Sequence, residues 1–173
     1  HLKPFASTPL MQNKKEEAAC CGLPPGPECS GFARPGYEIC GFVEDFIDTA
    51  AGPVPKIRTE LSMTDHAMSI LARFGIGRDS YGIAPGIYCA GTPDADSPVL
   101  VTANYKLTFD ALRKELSSIS AWILVLDTRG INVWCAAGKS LFSTEEVIKR
   151  VEVSGLDKIV SHRELILPQL SAT

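Results

Sequence analysis

The chain has 173 residues, enough for one α/β domain with a sizeable core and an N-terminal extension. Its 45% hydrophobic and 21% charged residues are ordinary for a globular protein, and a net charge of −3 leaves no basic excess to neutralise phosphates, which excludes nucleic acid as an expected partner. The longest apolar run, residues 121–126, is far too short to span a membrane and reads as a buried strand.

The chain opens with His1 rather than Met, and no signal-peptide pattern follows, so a piece trimmed from something longer is expected. Residues 1–55 are rich in Pro, Gly, Cys and charge. Pro24-Pro25-Gly26-Pro27 and Ala51-Gly52-Pro53-Val54-Pro55 interrupt regular structure, because proline lacks the amide donor. The stretch reads as an extended arm with one short helix over 41–49. Cys20, Cys21, Cys29 and Cys40 crowd this arm in no common zinc or iron–sulfur spacing. Free thiols in a loop are the simpler reading, and a metal or redox site the sharper one.

The ordered body is expected over 56–173. Thr64 can cap a helix carrying Ala67, Ile70, Leu71 and Phe74, with Gly75 as its stop. Residues 87–90 form a short strand. Residues 98–104 (PVLVTAN) form a β-branched strand, and Thr108 opens a helix with Phe109, Leu112, Leu116 and Ile119 on one face. Residues 121–127 (AWILVLD) are a strand covered on both faces. Ser143-Thr144-Glu145-Glu146 is a capping-box pattern opening a helix that buries Val147, Ile148 and Val151 and ends at Gly155. Residues 158–161 read as a third strand. Strand, helix, strand, helix, strand predicts an α/β fold with a Rossmann-like, doubly wound, mainly parallel sheet.

Ligands of such sheets bind beyond the carboxyl ends of the strands. That rule selects Thr102–Thr108, Asp127–Lys139 and Ser161–Leu170, which are expected to face one crevice. No Gly-x-Gly-x-x-Gly or Walker loop is present, and His66 and His162 are better read as surface or hydrogen-bonded histidines than as catalysts. Asn132 is a good helix N-cap and Gly138 a good stop, so residues 132–138 make one short helix with Cys135 in its first turn. There, unpaired amides favour a thiolate. Ala136 and Ala137 add no bulk beyond a methyl group, so a flat ligand could approach closely. Trp134 alone reads as core, and Cys135 alone as a buried inert cysteine or as a site in about equal measure.

Asn132-Val133-Trp134-Cys135-Ala136-Ala137-Gly138-Lys139, placed after Leu-Asp-Thr-Arg-Gly-Ile, resembles the cap-helix motif of the corrinoid protein of microbial mercury methylation. Residues 101–108 (VTANYKLT), Ser161-His162-Arg163 and Leu167-Pro168-Gln169-Leu170 extend the resemblance over roughly residues 35–173. That family is similar to the corrinoid-binding domain of the corrinoid iron–sulfur protein large subunit of acetyl-CoA synthesis. The resemblance implies a cobalamin held with its nucleotide tail detached and Cys135 as the lower cobalt ligand on a short cap helix. Thr102, Asn104, Thr108, Asp127 and the whole octapeptide Asn132–Lys139 would contact the cofactor, with Ser161, His162, Leu167, Gln169 and Leu170 lining the tail's site.

It further implies a corrinoid-dependent methyltransferase of anaerobic metabolism that passes a methyl group to inorganic mercury(II), giving methylmercury. A soft thiolate below the cobalt would weaken the opposite cobalt–carbon bond. The implied partners are a ferredoxin-like reductant with two [4Fe–4S] clusters and a methyl-donor methyltransferase of the folate pathway. Family members face the cytoplasm and carry a C-terminal membrane region, which this chain, ending at Thr173, would lack. The Asp-x-His-x-x-Gly pattern of histidine-ligated cobalamin modules is absent. Two other readings stand beside this one. A methyl-carrier domain of the acetyl-CoA pathway would hold the same cofactor without needing a cysteine at position 135. A non-catalytic thiol or redox module would retain no corrinoid.

Overall fold

The computed structural model describes residues 41–76 and 82–168. The chain enters as an antiparallel hairpin, β1 (Val43–Thr49) and β2 (Gly52–Ile57). A helix over 41–49 was expected here, with Pro53 and Pro55 outside any regular element. Instead residues 43–49 (VEDFIDT) spread Val, Phe, Ile and Thr along an extended chain, residue types that favour strands over helices. The prolines are tolerated because β2 meets β3 only at Lys56↔Cys89, so the strand is otherwise bonded on one side.

Helix α1 (Met63–Arg73) is capped by Ser62 rather than Thr64. The Ser62 hydroxyl accepts from the Asp65 amide while the Asp65 carboxylate accepts from the Ser62 amide, a reciprocal capping box. Only Ala72 of this helix is buried. The expected apolar face points to solvent, with Ile70 at 56% and Phe74 at 80% exposure.

Strands β3 (Gly86–Ala90), β4 (Val99–Ala103) and β5 (Ala121–Leu126) fall where their apolar runs place them. Helix α2 (Lys106–Lys114) crosses from β4 to the parallel β5, and Phe109 and Leu112 pack inward with Leu116 just beyond the helix. It begins two residues before Thr108, and Ile119 is exposed. Helix α3 (Val133–Gly138) follows β5. Helix α4 (Thr144–Ser154) is capped by the Ser143 hydroxyl and closed by left-handed Gly155, as expected, although Ile148 is exposed and Val147 and Val151 are only half-buried.

Residues 158–161 are not a strand. The turn after Gly155 closes on itself through Lys158 N–H to Gly155 O and Val160 N–H to Leu156 O, and Ser161 N–H bonds Ala95 O. The segment beside β4 is Ile166, bridged in parallel to Leu100.

The five-stranded sheet has the order β1-β2-β3-β5-β4, with β4 parallel to β5 and β3 antiparallel to it, so the α/β sheet is mixed. Its two faces explain the unbroken apolar run of β5. Ala121, Ile123 and Val125 pack with α2, whereas Trp122, Leu124 and Leu126 pack with Val133 and Ala136 of α3 and with Leu156. Burying each large aliphatic side chain contributes about 1.5–3 kcal/mol.

Under α2 lies a buried ionic network: Lys106 and Arg113 each bridge Asp65 and Asp110 at 2.6–2.7 Å, and Arg113 donates to the carbonyls of Arg58 and Glu60. It ties the start of α1 to α2. No helix among the described residues is long and apolar enough to cross a membrane.

Candidate ligand-binding site at the carboxyl edge of the sheet

Strands β4 and β5 end side by side at Ala103↔Leu126. One residue on, the Asn104 amide donates to Leu126 O, its carbonyl accepts from Ile83 N–H, and there the ladder stops. The Asn104 side chain, 5% exposed, takes over. Its Oδ1 accepts from Thr128 N–H at 3.0 Å, Thr128 Oγ1 at 2.8 Å and Gly130 N–H at 2.9 Å. Thr128 Oγ1 also lies 2.7 Å from Ile131 O, and its one proton serves either acceptor, so the buried hydroxyl sits between Asn104 and the far end of the loop. Two backbone donors fix which amide atom is the oxygen. Within that loop Arg129 (φ 55°) and Gly130 (φ 69°) are both left-handed, a conformation that glycine adopts freely and arginine at a cost of about 1–3 kcal/mol. Asp127 Oδ1 accepts from Arg129 N–H, and Asp127 N–H donates to Glu146, which Arg150 holds at 2.7 Å.

The loop delivers the chain to Asn132, whose Oδ1 accepts from the Cys135 amide at 2.9 Å and caps α3. Val133 and Ala136 point into the core. Trp134, Cys135, Ala137, Gly138 and Lys139 are exposed, with Trp134 at 53%. Trp134 is therefore not core, and Cys135 is not a buried inert thiol. Ala136, expected on the outer surface, is fully buried. The end of α3 is closed not by a left-handed Gly138 but by Ser140 (φ 57°), with Leu141 N–H on Ala136 O. Gly138 thus has no backbone reason to be glycine, and a Cβ there would meet nothing within 4 Å. Cys135 and Gly138 are i and i+3, neighbours on the outer face. What results is an exposed surface with one thiol standing on it, between the Trp134 ring and the small residues Ala137 and Gly138.

The remaining expected residues are dispersed. Thr102 is fully buried within β4, and Thr108 is half-buried in the first turn of α2. Ser161 and His162 lie at the opposite, amino end of β4, roughly 20 Å of strand away from Asn104. There Ser161 Oγ bonds Ala95 O and Asp96. His162 Nδ1 accepts from Glu164 N–H, so Nε2 donates to Ser97 O at 3.0 Å. The three segments therefore do not share one crevice at these residues. Leu167 is half-buried just past Ile166; Gln169, Leu170 and the four N-terminal cysteines lie outside the described residues. Thr128 was not singled out from the sequence, and its only signal is a hydroxyl in the turn after β5. Among the described residues no three His, Cys, Asp or Glu side chains gather as a metal cage.

Fold and site together define an α/β domain that, among the described residues, presents one exposed thiol at the carboxyl edge of a parallel strand pair. Residues 78–173, over half of the chain, match the family of the CO dehydrogenase/acetyl-CoA synthase delta subunit, CdhD, and the chain belongs to that family. It is 37% identical over 97 residues to the acetyl-CoA decarbonylase/synthase complex subunit gamma of Methanopyrus kandleri, covering 55% of this chain and 21% of that one. Identity is 37% over 98 residues to the subunit gamma of Methanocaldococcus jannaschii (56% and 20%) and 32% over 109 residues to that of Archaeoglobus fulgidus (60% and 23%). The chain spans about a fifth of the length of these relatives.

These matches correct the resemblance drawn from the octapeptide. The family found is a different branch from the mercury-methylation protein, so methyl transfer to mercury(II) and methylmercury as product are withdrawn. The ferredoxin-like reductant and the folate-pathway donor came through that resemblance, and the relatives' names bring neither.

Proposed function

We propose that this domain binds a corrinoid against the outer face of α3 and serves as a methyl carrier of the acetyl-CoA-pathway type, working beside other subunits of such a complex. The observation that carries the reading is the exposed Cys135 on a small-residue helix at the carboxyl edge of β4 and β5, in a chain of the CdhD family. When bound, the corrinoid's cobalt supplies the centre that takes up and releases the methyl group. The residues present fit such a group. Gly138 leaves open a space that a Cβ would fill, Ala137 adds only a methyl group, and Trp134 offers an exposed ring beside them. A thiol is a soft donor suited to cobalt, and without companion ligands nearby it suits a metal that arrives inside its own chelate. Cys135 is accordingly the residue proposed to ligate the cobalt, with Asn132 holding the turn that presents it.

Equilibrium dialysis against aquocobalamin, with visible spectra of the wild type and Cys135→Ala, tests both levels. Stoichiometric retention, with a spectrum that changes in Cys135→Ala, is expected. Equal spectra would remove the ligand role and leave the carrier standing, whereas no retention by the wild type would overturn the corrinoid reading and favour a thiol module.

A further inference from the structure

We infer that Asn104 is a positioning residue for Cys135: its buried side chain locks the loop 127–131 and so sets where α3 presents the thiol. The inference rests on the proposed corrinoid reading for its consequence, but its mechanism is visible in the protein alone.

Asn104 stands one residue beyond β4, where strand hydrogen bonding ends, and it is anchored there at both backbone groups. From that rigid point a single oxygen gathers three donors from a different segment, 24–26 residues later in the chain. The clamp spans the two left-handed residues, Arg129 and Gly130, which a short loop without it has reason to leave. Thr128 carries the restraint on through its carbonyl, which accepts from Ile131 N–H, and the next residue, Asn132, holds the Cys135 amide. The route from β4 to the thiol thus alternates hydrogen bonds on two Asn side chains with one short stretch of backbone. Val133 and Ala136, seated in the core, fix the inner side of α3, and the Asn104 clamp adds a restraint on the loop that leads into it.

Neither Asn104 nor Thr128 needs to touch a ligand in this scheme. The oxygen of Asn104 is what matters. Asn104→Asp keeps an acceptor at the same place, where three donors offset its burial, whereas Asn104→Leu keeps the size and removes the acceptor.

The test is made on the whole chain, first without cofactor. Asn104→Leu is expected to speed hydrogen exchange at the Thr128 and Gly130 amides by about tenfold or more relative to β5 amides, and to change the iodoacetamide alkylation rate of Cys135. Asn104→Asp is expected to restore both. With aquocobalamin added, the visible signature of the cysteine-bound form is expected to weaken in Asn104→Leu and return in Asn104→Asp. Wild-type exchange and alkylation in a folded Asn104→Leu protein would overturn the inference, as would Asn104→Asp behaving like Asn104→Leu. Should Asn104→Leu fail to fold, Thr128→Val decides. It removes the hydroxyl link alone and is expected to move the same readouts in the same direction, and wild-type values there would overturn the inference. Failure of the corrinoid reading shows separately, as an absence of cobalamin retention in the wild type with the cofactor-free readouts intact.

Discussion

Replacing Gly138 with leucine separates what α3 does for the fold from what it does for a ligand. A glycine inside a helix costs about 0.5–1 kcal/mol relative to alanine, through backbone freedom lost on folding. Gly138 is the last residue of α3, its φ is not positive, and a Cβ there would meet nothing within 4 Å, so the protein itself gains nothing from the glycine. Gly138→Leu is therefore expected to leave stability unchanged or raise it by up to about 1 kcal/mol, about 2–4 °C in Tm for a chain of this size. Corrinoid affinity is expected to move the other way. A branched side chain three residues from Cys135, on the same outer face, keeps a flat macrocycle from closing on the thiol. A loss of at least about tenfold in Kd, or 1.4 kcal/mol, is expected. Differential scanning fluorimetry reads the first quantity and equilibrium dialysis the second. Cobalamin binding in Gly138→Leu as tight as in the wild type would refute the placement of the ligand on this face.

The buried network under α2 gives a stability prediction: Asp110→Ala leaves Lys106 and Arg113 short of a buried partner and is expected to cost about 3–5 kcal/mol, read from urea denaturation midpoints. Burial alone would push the Asp65 carboxyl up, but the hydrogen bond and charge of Lys106, the Ser62 amide and the Arg113 charge outweigh it and hold it well below the usual carboxylate range. Its folded form therefore holds protons more weakly than the unfolded one. The associated stability is present above the ordinary carboxylate range and is lost as pH falls below it. Asp65→Asn is expected to flatten the acid limb of stability below about pH 4, and an unchanged limb would show that other groups carry it. Burial pushes the Cys89 thiol up to about 12, whereas Cys135 is exposed. Brief iodoacetamide treatment of the native protein at pH 8 should alkylate the Cys135 peptide and spare the Cys89 peptide in mass spectra; labelling of Cys89 at a comparable rate would contradict its burial.

Where the sequence spoke clearly, it did so through features that are local in the chain. The β5 run AWILVL is apolar at every position because both faces of the strand are covered, and the Ser143 cap and Gly155 stop of α4 are read from the residue types alone. Other elements depend on distant partners. Residues 43–55 read as part of an arm because Gly52, Pro53 and Pro55 look like punctuation, and only the antiparallel partner makes residues 43–57 a hairpin. Residues 158–161 have strand-forming types but spend their amides on a local turn and on Ala95, leaving the edge of β4 to Ile166. Lys106, Asp110 and Arg113 have the spacing of a solvated helix face, yet they are buried because Asp65 approaches from α1. Asn104 was picked out from the sequence as a cofactor contact. Its role was not, because its partners Thr128 and Gly130 lie beyond a whole helix and strand.

Three properties of α3 run against stability and have no return within the protein. An exposed Trp134 leaves a large apolar ring in water, Gly138 loosens the helix, and an exposed Cys135 invites oxidation. A surface loop free of function has no reason to gather all three beside one another. Under the proposed reading a bound corrinoid would give each a use: Trp134 would pack beside it, Gly138 would let it approach, and Cys135 would supply a ligand to its cobalt. The methyl-carrier reading drawn from the CdhD family does not by itself call for a cysteine here, so the thiol is the feature that would distinguish this domain's chemistry within it. The inner side of α3 supports the same division of labour. Val133 and Ala136 are given to the core and Asn132 to the cap, while the loop before them is bound to β4 through Asn104. An element that spends its inner residues on being held still, and leaves its outer ones bare, is built to offer a surface.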